Sequence, residues 1–318
     1  MNYKAYLTQN VLPFWLDHAI DTEHGGIFTC LDRKGEVYGT DKSVWFQGRA
    51  LWSFSKACRR AGNDPKYLDA AKCIYDFLDR CVDSDGRMFF TVTREGKEIQ
   101  KRRYYFSETF AAIGCAEYYK ATGDVGAWAN AQHYFDVARR CFEHPELNPP
   151  KLKTSMKSLS PVMIMMATAR SMAACAPDGE AYERLAASYL DEVLHGGFLS
   201  DDVPALLEHV SADGRFCDTP TGRTVNPGHS LETAWFLLVE GLLSHNDEAL
   251  AAAKRIIDIT MPLGLDRKHG GIIAFCDVKG LPAQALEWDM KLWWPQNEAI
   301  IANRMAYEVF GEQQYKEQ

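Results

Sequence analysis

Apolar and polar positions alternate along this chain in two classes of segment, each with helical spacing. Amphipathic segments with charged faces predict helices on the outside of the fold, at about 3–20, 65–82, 124–143, 179–194 and 247–260. More apolar segments predict an inner class, at about 43–61, 104–121, 155–175, 227–244 and 291–310. Because the two classes alternate along the chain, the pattern predicts an all-α protein built of helical hairpins.

A repeated motif supports this organisation. The form Asp-x-x-His-Gly-Gly-Ile occurs at 21–27 and again at 266–272, and a turn and a helix with a tryptophan-rich start follow each copy. The copies lie roughly 245 residues apart, which is room for four modules of roughly 61 residues each. We therefore predict a toroid in which inner helices line a cup; an open solenoid of helix pairs is the alternative. Because His24 and His269 recur in both copies, we expect them to be structural.

The chain shows no compositional break. No Pro-rich or Ser-rich linker is present, and we expect residues 149–153 to form a loop within a module. We therefore predict a single domain over residues 1–318. The nine cysteines form no CxxC pair, and the first residues lack the apolar core of a signal peptide, which favours a reduced, cytoplasmic protein.

Charge and composition exclude several classes of function. The net charge of -8 argues against nucleic-acid binding, and no apolar run of the length of a membrane span occurs. The sequence has neither a cluster of metal-ligand residues nor a glycine-rich phosphate loop. We therefore expect no metal and no cofactor.

The start of the inner helix near residue 227 carries the most informative side chains. Asn226 suits an N-cap and Pro227 the first helical position, which places His229 in the first turn. Glu232 and Trp235 follow on the same face. Because the helix dipole disfavours an imidazolium there, we expect a neutral His229 that can act as a general base. A histidine that only caps and packs is the alternative.

Other inner helices carry candidate residues near their starts: Arg49, Tyr105, Glu108, Trp293 and Glu298. An arginine in an otherwise apolar helix needs an anionic or hydroxyl-rich partner, and tryptophan suits the wall of a sugar pocket. The alternatives are a buried ion pair for Glu108 and an aromatic core stripe for the tryptophans. Since the inner helices of a toroid start at the same end, we expect one pocket for a small polyhydroxylated molecule. His209 has no such neighbours in sequence, and we expect it at the surface.

These segments resemble the N-acylglucosamine 2-epimerase family, which includes cellobiose 2-epimerases and aldose–ketose isomerases. Residues 225–238 resemble its Asn-Pro-Gly-His-x-Leu-Glu-x-x-Trp-Phe-Leu motif, residues 286–298 its Lys-x-Trp-Trp-x-x-x-Glu motif, and residues 44–52 and 105–110 its earlier helices. The resemblance implies an (α/α)6 barrel and an isomerase. The implied reaction removes the C2 proton of an open-chain sugar and returns it on the other face, interconverting N-acetylglucosamine and N-acetylmannosamine.

The resemblance also implies roles for individual residues. It implies that His229 is an acid/base residue and that Arg49 steadies the sugar oxygen. The implied or expected pocket residues are Glu232, Trp235, Trp293, Glu298, Tyr105 and Glu108. Glu298 is in addition a catalytic candidate for the second proton transfer, for which Tyr105 is an alternative.

The chain departs from the family near its end. The family uses a second histidine on its last inner helix, whereas no histidine follows His269 here. Six modules would also need roughly 370 residues at the repeat length inferred above. We therefore expect the sixth hairpin to be absent, the chain to be a poor epimerase, and the gap to cause aggregation or a homodimer unless the chain is a fragment.

Alternative functions stay open at this point. An aldose–ketose isomerase or a cellobiose-type 2-epimerase would use the same fold. A glycoside hydrolase would need two carboxylates on opposite sides of a glycosidic bond. A non-catalytic, sugar-binding remnant of an epimerase would bind without turnover. In each case the expected ligand is a small sugar.

Overall fold

A computed structural model describes residues 3–101, 105–148 and 155–318, so the loop predicted at 149–153 lies outside the described residues. The α-helices are α1 (Tyr3–Tyr6), α2 (Leu12–His18), α3 (Val44–Arg60), α4 (Pro65–Tyr75), α5 (Phe106–Thr122), α6 (Val125–Glu143), α7 (Leu159–Cys175), α8 (Glu180–His195), α9 (Pro227–Ser244), α10 (Asp247–Gly264), α11 (Trp293–Phe310) and α12 (Gln313–Glu317). A π-helical turn joins α1 to α2, and a 3-10 turn extends α4. The predicted helices are confirmed, with most ends within four residues of the prediction; the exception is the helix predicted at 65–82, whose α-helical part ends at Tyr75.

Short antiparallel strands connect the helices in small separate sheets. The strands are β1 (Cys30–Leu31), β2 (Val37–Gly39), β3 (Lys42–Ser43), β4 (Thr91–Val92), β5 (Glu98–Gln100), β6 (Met156–Ser158), β7 (Leu199–Ser200), β8 (Ala205–Leu206), β9 (His209–Ser211), β10 (Thr224–Val225) and β11 (Cys276–Asp277). β1 pairs with β2, β7 with β8, β6 with β9 and β10 with β11, while β3, β4 and β5 form one sheet. These pairs fix the segments that precede the inner helices.

Capping residues explain where the helices begin. Asp64, Asp124, Asn226 and Asn246 each accept a hydrogen bond from a backbone N–H in the first turn of α4, α6, α9 and α10, respectively. Asn226 was the predicted N-cap, and Pro227 occupies the first helical position, so this part of the prediction is confirmed.

The chain forms two compact units, Met1–Leu152 with Thr168–Arg184, and Lys153–Ala167 with Leu185–Gln318. In the first unit α3 packs against α4 and α5, and α5 packs against α6. In the second unit α9 packs against α10 and α11. The assignment of all 318 residues to one domain stays a prediction.

Helices α3 and α5 approach to backbone contact. A Cβ atom on Gly48 would lie 2.4 Å from the carbonyl carbon of Phe110, and one on Gly114 would lie 2.6 Å from the carbonyl oxygen of Gly48. Leu51, one turn further along α3, is fully buried. Glycine is therefore required for this close packing, since any side chain would push the helices apart.

The two copies of the repeated motif form the same turn. Asp21 Oδ1 accepts hydrogen bonds from the backbone N–H groups of Glu23 and His24, and Asp266 Oδ1 accepts the equivalent pair in the second copy. The two glycines that follow each histidine have φ between 71° and 84°, a left-handed conformation that glycine adopts readily. The backbone N–H of His24 and of His269 thus serves the turn, while a structural role for the two side chains stays a prediction.

A glutamine in the following helix fastens each turn. Gln47 of α3 bonds to both the N–H and the C=O of Ile27, at 2.8 and 2.9 Å. Gln296 of α11 makes both bonds to Ile272, each at 2.8 Å. Each helix start is therefore fixed to the turn that precedes it in sequence.

Candidate active site

The first turn of α9 presents His229 to a carboxylate from another segment of the second unit. The backbone N–H of His229 donates to the Asn226 side chain at 3.1 Å, which fixes the residue within the helix start. Its ring Nδ1 lies 2.9 Å from Oε2 of Glu208, which lies between β8 and β9. The Glu208 side chain is 10% exposed and the His229 side chain 25%, so the ring is accessible while its carboxylate partner is nearly buried.

The electrostatic surroundings of His229 overturn the neutral imidazole expected from the helix dipole. Burial favours the neutral ring, but the charge and hydrogen bond of Glu208, with the charges of Glu232 and Glu298, outweigh it and raise the pKa of His229 to about 9. The ring is therefore an imidazolium at neutral pH. A half-charge at a helix end is weaker than a full carboxylate at hydrogen-bond distance, which is the physical reason for the correction.

The start of α11 supplies two further groups in the same unit. The ring centroid of Trp294 lies 5.3 Å from that of His229, with the planes tilted by 35°. Oε2 of Glu298 accepts a hydrogen bond of 2.7 Å from the indole Nε1 of Trp235, which lies two turns into α9. The second unit thus brings together His229, Glu232, Trp235 and Glu298 of the predicted site residues.

Trp293 differs from the residues of this cluster because its side chain is exposed. Its side chain begins α11 and is 64% exposed, whereas the next residue, Trp294, stacks beside His229. The sequence singled out Trp293; one helical step, about 100°, decides which of two adjacent tryptophans faces α9. A sugar-binding role for Trp293 stays a prediction.

Two predicted site residues of the first unit, Arg49 and Tyr105, lie against aromatic rings. Arg49 is exposed on α3, and its guanidinium carbon lies 4.1 Å from the centroid of the Phe110 ring. This is a cation–π contact, which holds the planar group flat against an aromatic face. Tyr105 is buried immediately before α5, with its ring edge-to-face against Phe106. Roles for Arg49 and Tyr105 toward a sugar stay predictions.

Glu108 forms the buried ion pair that the sequence had left open as an alternative. Its side chain is fully buried, and Oε1 accepts hydrogen bonds from Nε of Arg87 at 2.6 Å and from the backbone N–H of Met88 at 3.0 Å. Among the described residues, the second oxygen, Oε2, has no hydrogen-bond partner. Contact between Glu108 and a substrate stays a prediction.

Sequence reasoning missed Glu208 and Trp294 and misjudged His209. Glu208 follows the apolar residues 205–207 and precedes His209 and Val210, and an acidic residue next to such an apolar stretch was the available signal. His209 was expected at the surface, but it is half-buried, and its Nδ1 lies 2.9 Å from the Ser158 hydroxyl across the β6–β9 pair. Burial lowers the pKa of His209, so this ring stays neutral beside a charged His229.

Within residues 3–101, 105–148 and 155–318, no group of three histidine, cysteine, aspartate or glutamate side chains could hold a metal ion. Over the same ranges, none of the helices combines the length and the apolar character that crossing a bilayer requires.

Comparison with known proteins assigns the chain to a family. A family model described as N-acylglucosamine 2-epimerase (GlcNAc 2-epimerase) matches residues 26–318. The N-acylglucosamine 2-epimerase of Bos taurus is 36% identical over an alignment of 326 positions that covers 95% of this chain and 74% of that protein. This chain belongs to the N-acylglucosamine 2-epimerase family. The enzyme of the same name from Homo sapiens is 34% identical, with 95% and 73% covered.

The family assignment agrees with a structural likeness. The crystal structure of a D-mannose isomerase superposes with a TM-score of 0.83 at 19% identity, covering 99% of this chain and 83% of that one. At that identity the likeness shows the fold alone, and it confirms the predicted (α/α)6 fold class. This member of the epimerase family is therefore an isomerase of the sugar epimerase type. The absence of a sixth hairpin stays a prediction.

Proposed function

We propose that this chain interconverts N-acetylglucosamine and N-acetylmannosamine by removing and returning the proton at C2 of the open-chain sugar. The observation that carries the proposal is the cluster at the starts of α9 and α11, in which His229 bonds to Glu208 and lies beside the tilted ring of Trp294, near the Trp235–Glu298 pair. The cluster holds a nitrogen acid, carboxylates and aromatic faces, which are the groups that proton transfer on a sugar needs.

The proposed roles follow from the chemistry of each group. His229 and Glu298 are the two proton-transferring residues, because epimerisation needs one group on each face of the planar intermediate. Arg49 steadies the sugar oxygen on which charge develops. Glu232, Trp235, Trp293, Tyr105 and Glu108 are the proposed sugar-binding residues. The likeness to N-acylglucosamine 2-epimerases over nearly the whole chain supports this substrate class.

An aldose–ketose isomerase is the second candidate, favoured by the sequence likeness to a mannose-6-phosphate isomerase of Rhizobium meliloti, 28% identical with 91% of this chain covered. The same C2 proton is removed in both reactions, and the outcomes differ in where the proton returns. Return to C2 gives the epimer, whereas return to C1 gives the ketose. The product of the reaction therefore separates the two functions.

The test is solvent-deuterium exchange followed by proton NMR, with N-acetylmannosamine, N-acetylglucosamine, mannose and cellobiose each incubated with the chain in D2O. We expect deuterium at C2 of the N-acetyl sugars and a His229→Ala rate lower by about 10²–10⁴-fold, the usual contribution of an acid/base group. His133→Ala, on the exposed face of α6, is the matched control. Undiminished exchange in His229→Ala would contradict its role. Ketose formation from mannose would replace the proposal with the isomerase. In a separate assay on an aryl glycoside, cleavage would replace it with the hydrolase.

The cellular setting and assembly are part of the proposal. All nine cysteines are free thiols, which fits the reducing conditions of the cytoplasm. The exposed side chains of Leu281, Leu286 and Met290, in the segment before α11, give this region an apolar surface that suits a homodimer. Light scattering of the purified chain tests the dimer.

A further inference from the structure

Glu208 is held more rigidly than its position between two short strands would suggest. Its backbone N–H donates to the carbonyl of Thr224 at 3.0 Å, and its own carbonyl accepts from the N–H of Leu159 at 3.0 Å. The residue therefore bridges β10 and the start of α7, and it precedes β9, which pairs with β6. The backbone from which the Glu208 carboxylate extends to His229 is therefore held on both sides.

This contact determines which ring nitrogen of His229 can react. Nδ1 lies 2.9 Å from a carboxylate oxygen, so it carries a hydrogen and donates it. Trp294 lies against the ring, with a tilt of 35°. Nε2 is left as the nitrogen that can exchange a proton with a substrate.

The charged groups around the ring favour its protonated form. Glu208 approaches from the segment between β8 and β9, Glu232 from α9 itself, and Glu298 from α11. His209, which follows Glu208 directly, is kept neutral by its own burial and adds no positive charge. Three carboxylates therefore face one imidazole.

We propose that Glu208 is the positioning residue of the reaction: it holds His229 as an imidazolium with Nε2–H available, so that His229 enters the cycle as the proton donor. This inference rests on the proposed function. After another base has removed the first C2 proton, the electron pair of the C1=C2 bond of the resulting enolate takes the Nε2 proton. A C2–H bond forms, the C1 oxygen becomes a carbonyl, and the N–H electron pair stays on Nε2. His229 leaves this step neutral, with Nδ1–H still donated to Glu208.

The test measures the ring directly, by NMR titration of 15N-labelled histidines in the full chain. The His229 signal is assigned by its absence in His229→Ala. We expect wild-type His229 to stay protonated above pH 8 and to titrate near pH 9, the pKa that Glu208 maintains. In Glu208→Gln the acid dissociation constant of His229 should rise by about 10- to 1000-fold, because an opposite charge at this distance is lost. Exposed Glu287→Gln is the control and should leave the titration unchanged.

Glu208→Asp separates charge from shape, since it keeps the carboxylate on a shorter stem. It should restore a raised pKa of His229, and far-UV circular dichroism of each variant checks that the chain is folded. Where the chain turns over sugar, the basic limb of kcat/KM should move with the ring pKa. An unchanged His229 titration in folded Glu208→Gln overturns the inference. Absence of C2 exchange with a titration as expected overturns the proposed function instead, so the two failures are distinguishable.

Discussion

The two copies of the turn motif, 21–27 and 266–272, have the same hydrogen bonds but very different surroundings. In the first copy Asp21 pairs with Lys42 at 2.8 Å, and both side chains are almost completely buried, at 1% and 0% exposure. In the second copy Asp266 pairs with Lys291 at 2.6 Å, but these side chains are 23% and 32% exposed. The geometry of the turn is thus a local property, whereas burial comes from the neighbours.

The helices that follow the turns show the same contrast. When α3 and α11 are aligned so that Gln47 matches Gln296, Leu51 of α3 corresponds to Ile300 of α11. Leu51 is fully buried, while Ile300 is 59% exposed. One sequence pattern can therefore occur both in a core and at a surface. Paired substitutions at equivalent positions of the two copies test whether burial determines how much each position stabilises the chain.

The largest effect is expected at the buried ion pair. Asp21→Ala leaves Lys42 buried without its carboxylate, which should lower the free energy of unfolding by about 3–5 kcal/mol. Asp266→Ala should cost only a small fraction of that, because water can solvate Lys291. Urea unfolding followed by circular dichroism compares the two. The double variant Asp21→Ala/Lys42→Met should recover part of the loss, since no buried charge then lacks a partner. Equal losses in the two copies would show that burial does not distinguish them.

A smaller effect is expected from trimming the apolar face. Leu51→Ala removes a fully buried side chain and should destabilise the chain by about 2–5 kcal/mol. Ile300→Ala, at the corresponding exposed position, should change the free energy of unfolding by less than about 0.5 kcal/mol. The midpoints of urea denaturation measure both. A large loss for Ile300→Ala would mean that another surface covers α11 in solution.

The smallest effect is expected from adding one methyl group. Gly48→Ala would force apart α3 and α5, where the new Cβ meets the carbonyl carbon of Phe110, at a cost of about 1–3 kcal/mol. Asn297→Ala, at the equivalent exposed position of α11, should stay within about 0.5 kcal/mol of wild type. Thermal unfolding of both variants tests the pair, and a neutral Gly48→Ala would contradict the close packing described above.

The helices and the repeated turn could be predicted from the sequence because the residues that mark them lie close together along the chain. The N-cap at Asn226 with Pro227 after it, and the period of the apolar residues, placed α9 at the helix that the structure shows. The repeated Asp-x-x-His-Gly-Gly-Ile turn likewise carries its own hydrogen bonds. Such features depend on residues within one or two turns of each other, so composition and spacing suffice to find them.

The candidate site could be predicted only in part, because the contact that sets the charge of His229 joins residues far apart in sequence. Glu208 and His229 lie 21 residues apart in sequence, joined through strands of two or three residues that have almost no periodicity. The charge of His229 depends on that contact, and the sequence therefore predicted a neutral ring. The choice between Trp293 and Trp294 depended on the phase of α11, which a boundary error of one residue reverses.

The two hydrogen bonds that Gln47 and Gln296 each make to a turn allow the chain between turn and helix to vary in length. Gln47 lies 20 residues after Ile27, whereas Gln296 lies 24 residues after Ile272, yet both make the same two bonds. The position of each helix start relative to its turn therefore does not depend on the length of the intervening chain. Lengthening a flexible loop costs little, about 0.6 kcal/mol for each doubling. The intervening segment can thus accept inserted residues while the glutamine keeps its two bonds to the turn.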